Sequence, residues 1–161
     1  MKKIILLILA LALCFTLAAC GQSSGQSAEE TESADDGQNP VMNFIGDYGC
    51  GRATMHVEAE GADGARFTLT WASSAAENTE WVMSGTFDEK TLSVEYSDCV
   101  RTDYVYNEDG SVKSQKEKYT DGHGVIQFSD SDELSLTWQD DQENAGEDMT
   151  FEYASYGGAE E

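Results

Sequence analysis

Few residues of this chain have the type and spacing to do chemistry. Two histidines, His56 and His123, are present, and histidine is the side chain most often used as a general acid or base. His56 falls on the polar side of an alternating run, and His123 sits in Gly122-His123-Gly124. Neither belongs to a GxSxG elbow or an HExxH helix, and no glycine-rich phosphate loop is present. Carboxylates are plentiful, 31 Asp plus Glu, so any one pair suited to glycoside chemistry carries little information. The densest acid runs are Asp130-Ser131-Asp132-Glu133 and Asp140-Asp141-Gln142-Glu143, the second followed by Glu147-Asp148. They offer the hard oxygen ligands that Ca²⁺ takes, but neither has the central glycine and terminal glutamate of a calcium-binding loop. They read as solvated acidic turns. No catalytic residue, metal or cofactor is expected, and the chain reads as a non-enzyme.

The elements around these residues are strands. Apolar residues recur with period two, the signature of a half-buried strand: Ala53, Met55, Val57 and Ala59; Phe67, Leu69 and Trp71; Trp81, Met83, Gly85 and Phe87; Leu92, Val94 and Tyr96. The pattern continues through Val100, Tyr104 and Tyr106, then Ile126 and Phe128, Leu134, Leu136 and Trp138, and Met149, Phe151 and Tyr153. Gly61-Ala62-Asp63-Gly64 and Asn107-Glu108-Asp109-Gly110 are turn chemistry between them. Short links pair sequential neighbours, which predicts one antiparallel meander of eight to nine strands. With one apolar face per strand, the sheet must curl on itself or pack on another. An all-β, lipocalin-like barrel is expected over residues 41–157, with a β-sandwich as the alternative and 158–161 as an acidic tail.

Trp71 and Trp81 bracket a small, polar segment, and both share a face with core residues. Serine and glutamate in Ser74-Ala75-Ala76-Glu77 match a capping box, so the segment reads as a helical turn over one barrel end. Packing is the simpler role for the indoles. If a ligand is held, Trp71, Trp81, Phe67 and Met83 are the candidates to touch it.

The N-terminus opens with Lys2 and Lys3, then an apolar run from Ile4 to Leu13. That run is shorter than the ~20 residues a spanning helix needs, and reads as an export signal. It ends in Leu17-Ala18-Ala19-Cys20, which resembles the lipobox of bacterial lipoproteins. The resemblance implies a signal peptide over 1–19 and a lipid-modified Cys20 that holds the protein to the extracytoplasmic face of the cell membrane. Residues 21–40 lack aromatic and basic side chains and read as a disordered acidic tether with a reach of ~25 Å.

Cutting after residue 19 removes two lysines, leaving 9 − 2 = 7 basic against 31 acidic side chains, a formal charge of −24. Phosphate backbones repel such a surface, so nucleic acid is not an expected partner. Arg101, Lys113, Lys116 and Lys118 are four of those seven and fall on one hairpin, which reads as a docking arm or as an edge ribbon guarded by lysines. With Cys14 and Cys20 set aside, Cys50 and Cys99 remain, an even pair in an exported domain. They favour a disulfide worth ~4 kcal/mol in the chain-entropy model, with two free buried thiols as the alternative.

Beyond the lipobox, the run from Trp71 to Phe87, followed by Leu92-Ser93-Val94-Glu95-Tyr96, resembles a group of small secreted lipoproteins of gut Firmicutes. The resemblance implies a tethered β domain, without catalytic residues to carry over. Two functions fit a monomer of this kind. One is a binding module for a small apolar or amphipathic ligand. The other is an acidic interaction or inhibitor module for a cationic protein, in the way lipid-anchored lysozyme inhibitors act. The anchor has a direct test: Cys20→Ser is expected to move the protein from the membrane fraction to the soluble fraction, and a variant that stays membrane-bound contradicts lipidation.

Overall fold

In the computed structural model, residues 38–147 and 149–154 are described. The expected lipidation site Cys20, the expected signal peptide and tether up to residue 37, and the expected acidic tail lie outside them. Eight antiparallel strands run β1 (Gly46–Cys50), β2 (Ala53–Glu60), β3 (Gly64–Ala72), β4 (Glu77–Asp88), β5 (Ser93–Tyr106), β6 (Val112–Ser129), β7 (Ser135–Asp140) and β8 (Thr150–Ala154). Each pairs with the next, and β8 returns to β1, which closes the ring as a barrel. The sandwich alternative is thereby set aside. Among the described residues, no helix is long and apolar enough to cross a membrane.

The sequence divides the sheet differently from the fold. Runs read as separate strands at Leu92–Tyr96 and Val100–Tyr106 form the single strand β5, whose register against β6 shifts between Tyr96 and Cys99 and again near Arg101. An extra residue in a bulge turns the following side chains to the other face. Cys99 is buried as a result. Tyr104 and Tyr106 lie on the outer face, stacked at 6.2 Å, with their hydroxyls donated to Glu80 and Asn78. The first strand, Gly46-Asp47-Tyr48-Gly49-Cys50, has one large apolar side chain and so gives no period-two signal. It is held by five register pairs to β2.

The interior is filled by the protein's own side chains. Phe128 on β6 reaches Phe67 on β3 (6.0 Å) and Tyr48 on β1 (6.4 Å), and Trp81 on β4 meets Trp138 on β7 (5.5 Å). Each pair spans the ring, so opposite walls touch. A short 3₁₀ turn, η1 (Pro40–Phe44), closes the end where β2 turns into β3. Val41 is fully buried there, and Phe44 packs on Phe87 and Phe128. Asn39 caps this turn by accepting from the Val41 N–H and donates to the Gly61 and Gly64 carbonyls. Asn39 and Pro40, read as the end of the tether, therefore belong to the domain.

A second 3₁₀ turn, η2 (Asn144–Gly146), sits at the opposite end between β7 and β8, with Gly146 against Trp138. The helical turn expected at Ser74–Glu77 is absent. Only a tight link joins Ala72 to Asn78 in register, and the Ser73 and Ser74 N–H groups bond back to the Glu77 carbonyl. Ser74 Oγ accepts from the Ala76 N–H two residues on, a local turn that competes with helix.

The expected disulfide is not formed: Cys50 and Cys99 are free thiols. They lie on β1 and β5, with three strands between them in either direction around the ring. A bridge needs Cα atoms within about 7 Å, which a barrel wall and its opposite do not offer.

Because Phe128 joins four rings, Phe128→Ala is expected to destabilise the domain by about 3–5 kcal/mol, read as a lower denaturant midpoint. A loss under about 1 kcal/mol would mean that the centre of the barrel is not packed this way.

Candidate functional site

The end of the barrel at η2 carries a polar network threaded into the aromatic core. The Trp138 Nε1–H donates to the Tyr96 hydroxyl (2.7 Å), which donates to Asp140 Oδ2 (2.8 Å). In parallel, the Trp81 Nε1–H donates to the Tyr119 hydroxyl (3.1 Å), which reaches Asp140 Oδ1 (3.4 Å). Two indole–phenol relays thus converge on the two oxygens of one carboxylate. Buried indoles and phenols need such partners. Gly124 makes room: a Cβ there would run into the Tyr96 hydroxyl and the Gln139 carbonyl.

Arg101 completes the wall. Its guanidinium lies over the Trp81 ring at 5.3 Å, a cation–π contact, and pairs with Glu143 and with Asp103 (3.4 Å). Asp103 also accepts from the Thr79 hydroxyl (3.0 Å) and pairs with Lys118 (3.5 Å). Burial opposes ionisation of Asp103, but Thr79, Arg101 and Lys118 outweigh it and hold the carboxyl below its ordinary range. Beside this network opens a cavity of about 230 Å³ lined by Gln139, Asp140, Glu143, Asn144 and Glu147. Three carboxylates face it, and Arg101 compensates one of them.

The anticipated ligand contacts are placed otherwise. Phe67 and Met83 are register partners across β3 and β4, and with Trp81 they are buried in the core cluster. Trp71 is half-buried at the end of β3 and packs on the rim of that cluster. Neither the acidic cavity nor the other described cavities are lined by any of these four residues. Of the histidines, His56 lies between Asp47 and Glu58 on the outer surface. His123 is exposed, 3.7 Å from Asp141. The two acid runs flank β7 at its two ends. Among the described residues no three His, Cys, Asp or Glu side chains gather to hold a metal.

The lysine hairpin divides into two parts. Arg101 turns inward, while Lys113 and Lys116 are exposed on a stretch of β6 whose pairing with β7 begins only at Gly124. This is the edge ribbon of the second reading. The pairing of Arg101 with Glu143, 42 residues away, left no sequence signal. Tyr96, Trp138 and Asp140 were visible only as core pattern and acid run.

No protein-family model, no curated protein and no solved structure matches this chain. The resemblance to small surface lipoproteins therefore rests on the quoted residues.

The network has an alkaline signature. Burial, and then the Asp140 charge, push the Cys99 thiol up to about 12. Tyr96 and Tyr119 are held above the ordinary phenol range by burial and then by Asp140. In the unfolded chain these groups ionise near their ordinary values of 9.0 and 10.0. Above pH 9 the unfolded chain thus binds fewer protons than the folded one, and stability falls as pH rises. The melting temperature is expected to drop steadily above pH 9, with a shallower slope in Tyr96→Phe, which also starts lower because Trp138 loses its acceptor. A melting temperature that holds or rises between about pH 9 and 11 would contradict this network.

Proposed function

We propose that the chain is a lipid-anchored, extracytoplasmic and non-catalytic interaction module, monomeric, whose acidic barrel captures a cationic protein. The observation that carries this reading is the cavity at the β7–η2 corner, which Asp140, Glu143 and Glu147 line beside Gln139 and Asn144. Asp140 is fixed by two phenols and Glu143 by Arg101, so the negative charge is held in place before a partner arrives. Preorganised charge of this kind costs little to bind against. The formal charge of −22 on the whole chain supplies long-range attraction for a basic partner. The lipobox at Leu17–Cys20 supports the surface tether.

A small apolar ligand gripped by Trp71, Trp81, Phe67 and Met83 has less support, since three of the four are already occupied in packing the core. The test is association of the immobilised full-length chain with lysozyme as a cationic probe and serum albumin as an acidic one. Lysozyme is expected to bind, with affinity falling about tenfold or more between ~0.05 M and ~0.5 M salt. Asp140→Asn together with Glu147→Gln is expected to weaken it further. Equal binding of albumin, or binding indifferent to salt, would sink the proposal.

A further inference from the structure

The η1 end of the barrel carries a second concavity of different character. Gly46 takes φ +135°, a conformation that disfavours any side chain. A Cβ there would meet the Tyr153 ring at 2.8 Å. The bare glycine lets Tyr153 lie across the start of β1, edge-on to the fully buried Tyr48 at 5.3 Å. Next to this ring opens a notch of about 370 Å³, bounded by Ile45, Gly46, Val57, Ala59 and Tyr153, with His56 and Glu58 on its rim. Its volume lies within the ~300–1,000 Å³ usual for ligand sites, which are apolar with a few convergent polar groups. Tyr153 stays 39% exposed, one of three large apolar side chains so placed among the described residues.

The rim decides what fits. Asp47 and Glu58 bracket the His56 imidazole at 2.6 and 3.4 Å. No lysine or arginine lines the notch, and Arg66 on the neighbouring strand is turned to Glu60 at 3.9 Å. An anionic amphiphile would meet the Glu58 carboxylate at the rim, with Asp47 behind His56. A group with an apolar body and a positive neighbour would seat the body on Tyr153, Ala59 and Ile45 and place its charge against Glu58. We propose that this notch is a peptide-docking site for an aromatic or branched aliphatic side chain flanked by lysine or arginine. The proposal draws on the same acidic excess as the interaction module but does not depend on the cavity beside Asp140.

Titration of the ¹⁵N-labelled full-length chain with the peptides Lys-Trp-Lys, Glu-Trp-Glu and Lys-Gly-Lys, followed by backbone amide shifts, tests it. Lys-Trp-Lys is expected to shift Ile45, Ala59 and Tyr153 saturably, and the other two peptides to bind about fivefold or more weakly. Glu58→Lys is expected to weaken Lys-Trp-Lys by a similar factor. Ala59→Trp, which fills the notch from an exposed strand position, is expected to abolish the shifts. Equal binding of Lys-Gly-Lys would overturn the proposal by showing that the apolar floor is unused. Absence of saturable shifts would overturn it as well. Shifts confined to Gln139–Glu147 would overturn the notch while leaving the acidic cavity supported. Binding seen only when the chain is ended at Ala154 would assign the notch to the chain's own C-terminal residues and overturn the proposal.

Discussion

Closure of the ring by β8 is the constraint on which the rest of the molecule depends. This strand meets β7 through three register pairs and β1 through three, a short seam beside the eight and nine pairs that join β2–β3 and β3–β4. Without it, the sheet would have two open edges and a continuous apolar face with nothing opposite. With it, Phe128 finds Phe67 and Tyr48 across the ring, and Trp81 finds Trp138. The seam also fixes the two ends. Phe151 of β8 is fully buried in the wall, and the following Tyr153 reaches the η1 mouth over Gly46.

A core built on two tryptophans and several tyrosines must satisfy each indole N–H and phenol O–H that it buries. Here Asp140 serves four of these groups through two relays. The carboxylate sits at the margin of the barrel, where one side faces the phenols and the other the cavity. In the proposed reading, structural and binding demands therefore fall on the same residue. The phenols keep their protons because burial and a neighbouring negative charge both oppose phenolate. They remain donors over the whole ordinary pH range and keep the carboxylate oriented. Arg101 does the same for Glu143 from above the Trp81 ring.

Much of this architecture was legible from period-two alternation, because a half-buried strand repeats its burial every second residue. Ala53, Met55 and Val57, Phe67 and Leu69, and Trp81, Met83 and Phe87 came through as core residues, whereas Ala59 at the end of its run is exposed and Trp71 only half-buried. The pattern failed where physics breaks the period. The bulges around Tyr96–Arg101 reversed the faces of Tyr104 and Tyr106, and the glycines of Gly46–Cys50 hid a strand. At Ser74–Glu77 a local serine turn imitated a helix cap, since the same side-chain–backbone hydrogen bond serves both. The candidate site was less legible. Its acids were visible as a run and its aromatics as core, but the contact between them joins β4, β5, β6, β7 and η2. A hydrogen bond such as that between Tyr96 and Asp140, 44 residues apart, is a product of closure.

In the proposed reading, the two ends of the barrel divide recognition between them. Net negative charge draws any basic surface and by itself discriminates poorly, since screening and distance average it out. Discrimination requires positions where the wrong group is penalised. At the η2 end, carboxylates held by phenols and by Arg101 cannot swing away to accommodate an anion. At the η1 end, an apolar floor behind Glu58 penalises a charged body that lacks an apolar face, and the rim penalises an apolar body that carries negative charge. A partner that satisfies either end must be basic, and one that satisfies the notch must also carry an apolar anchor. The barrel between them contributes rigidity. Its interior is already filled by aromatic side chains packed wall to wall, so the geometry of both ends is set before anything binds.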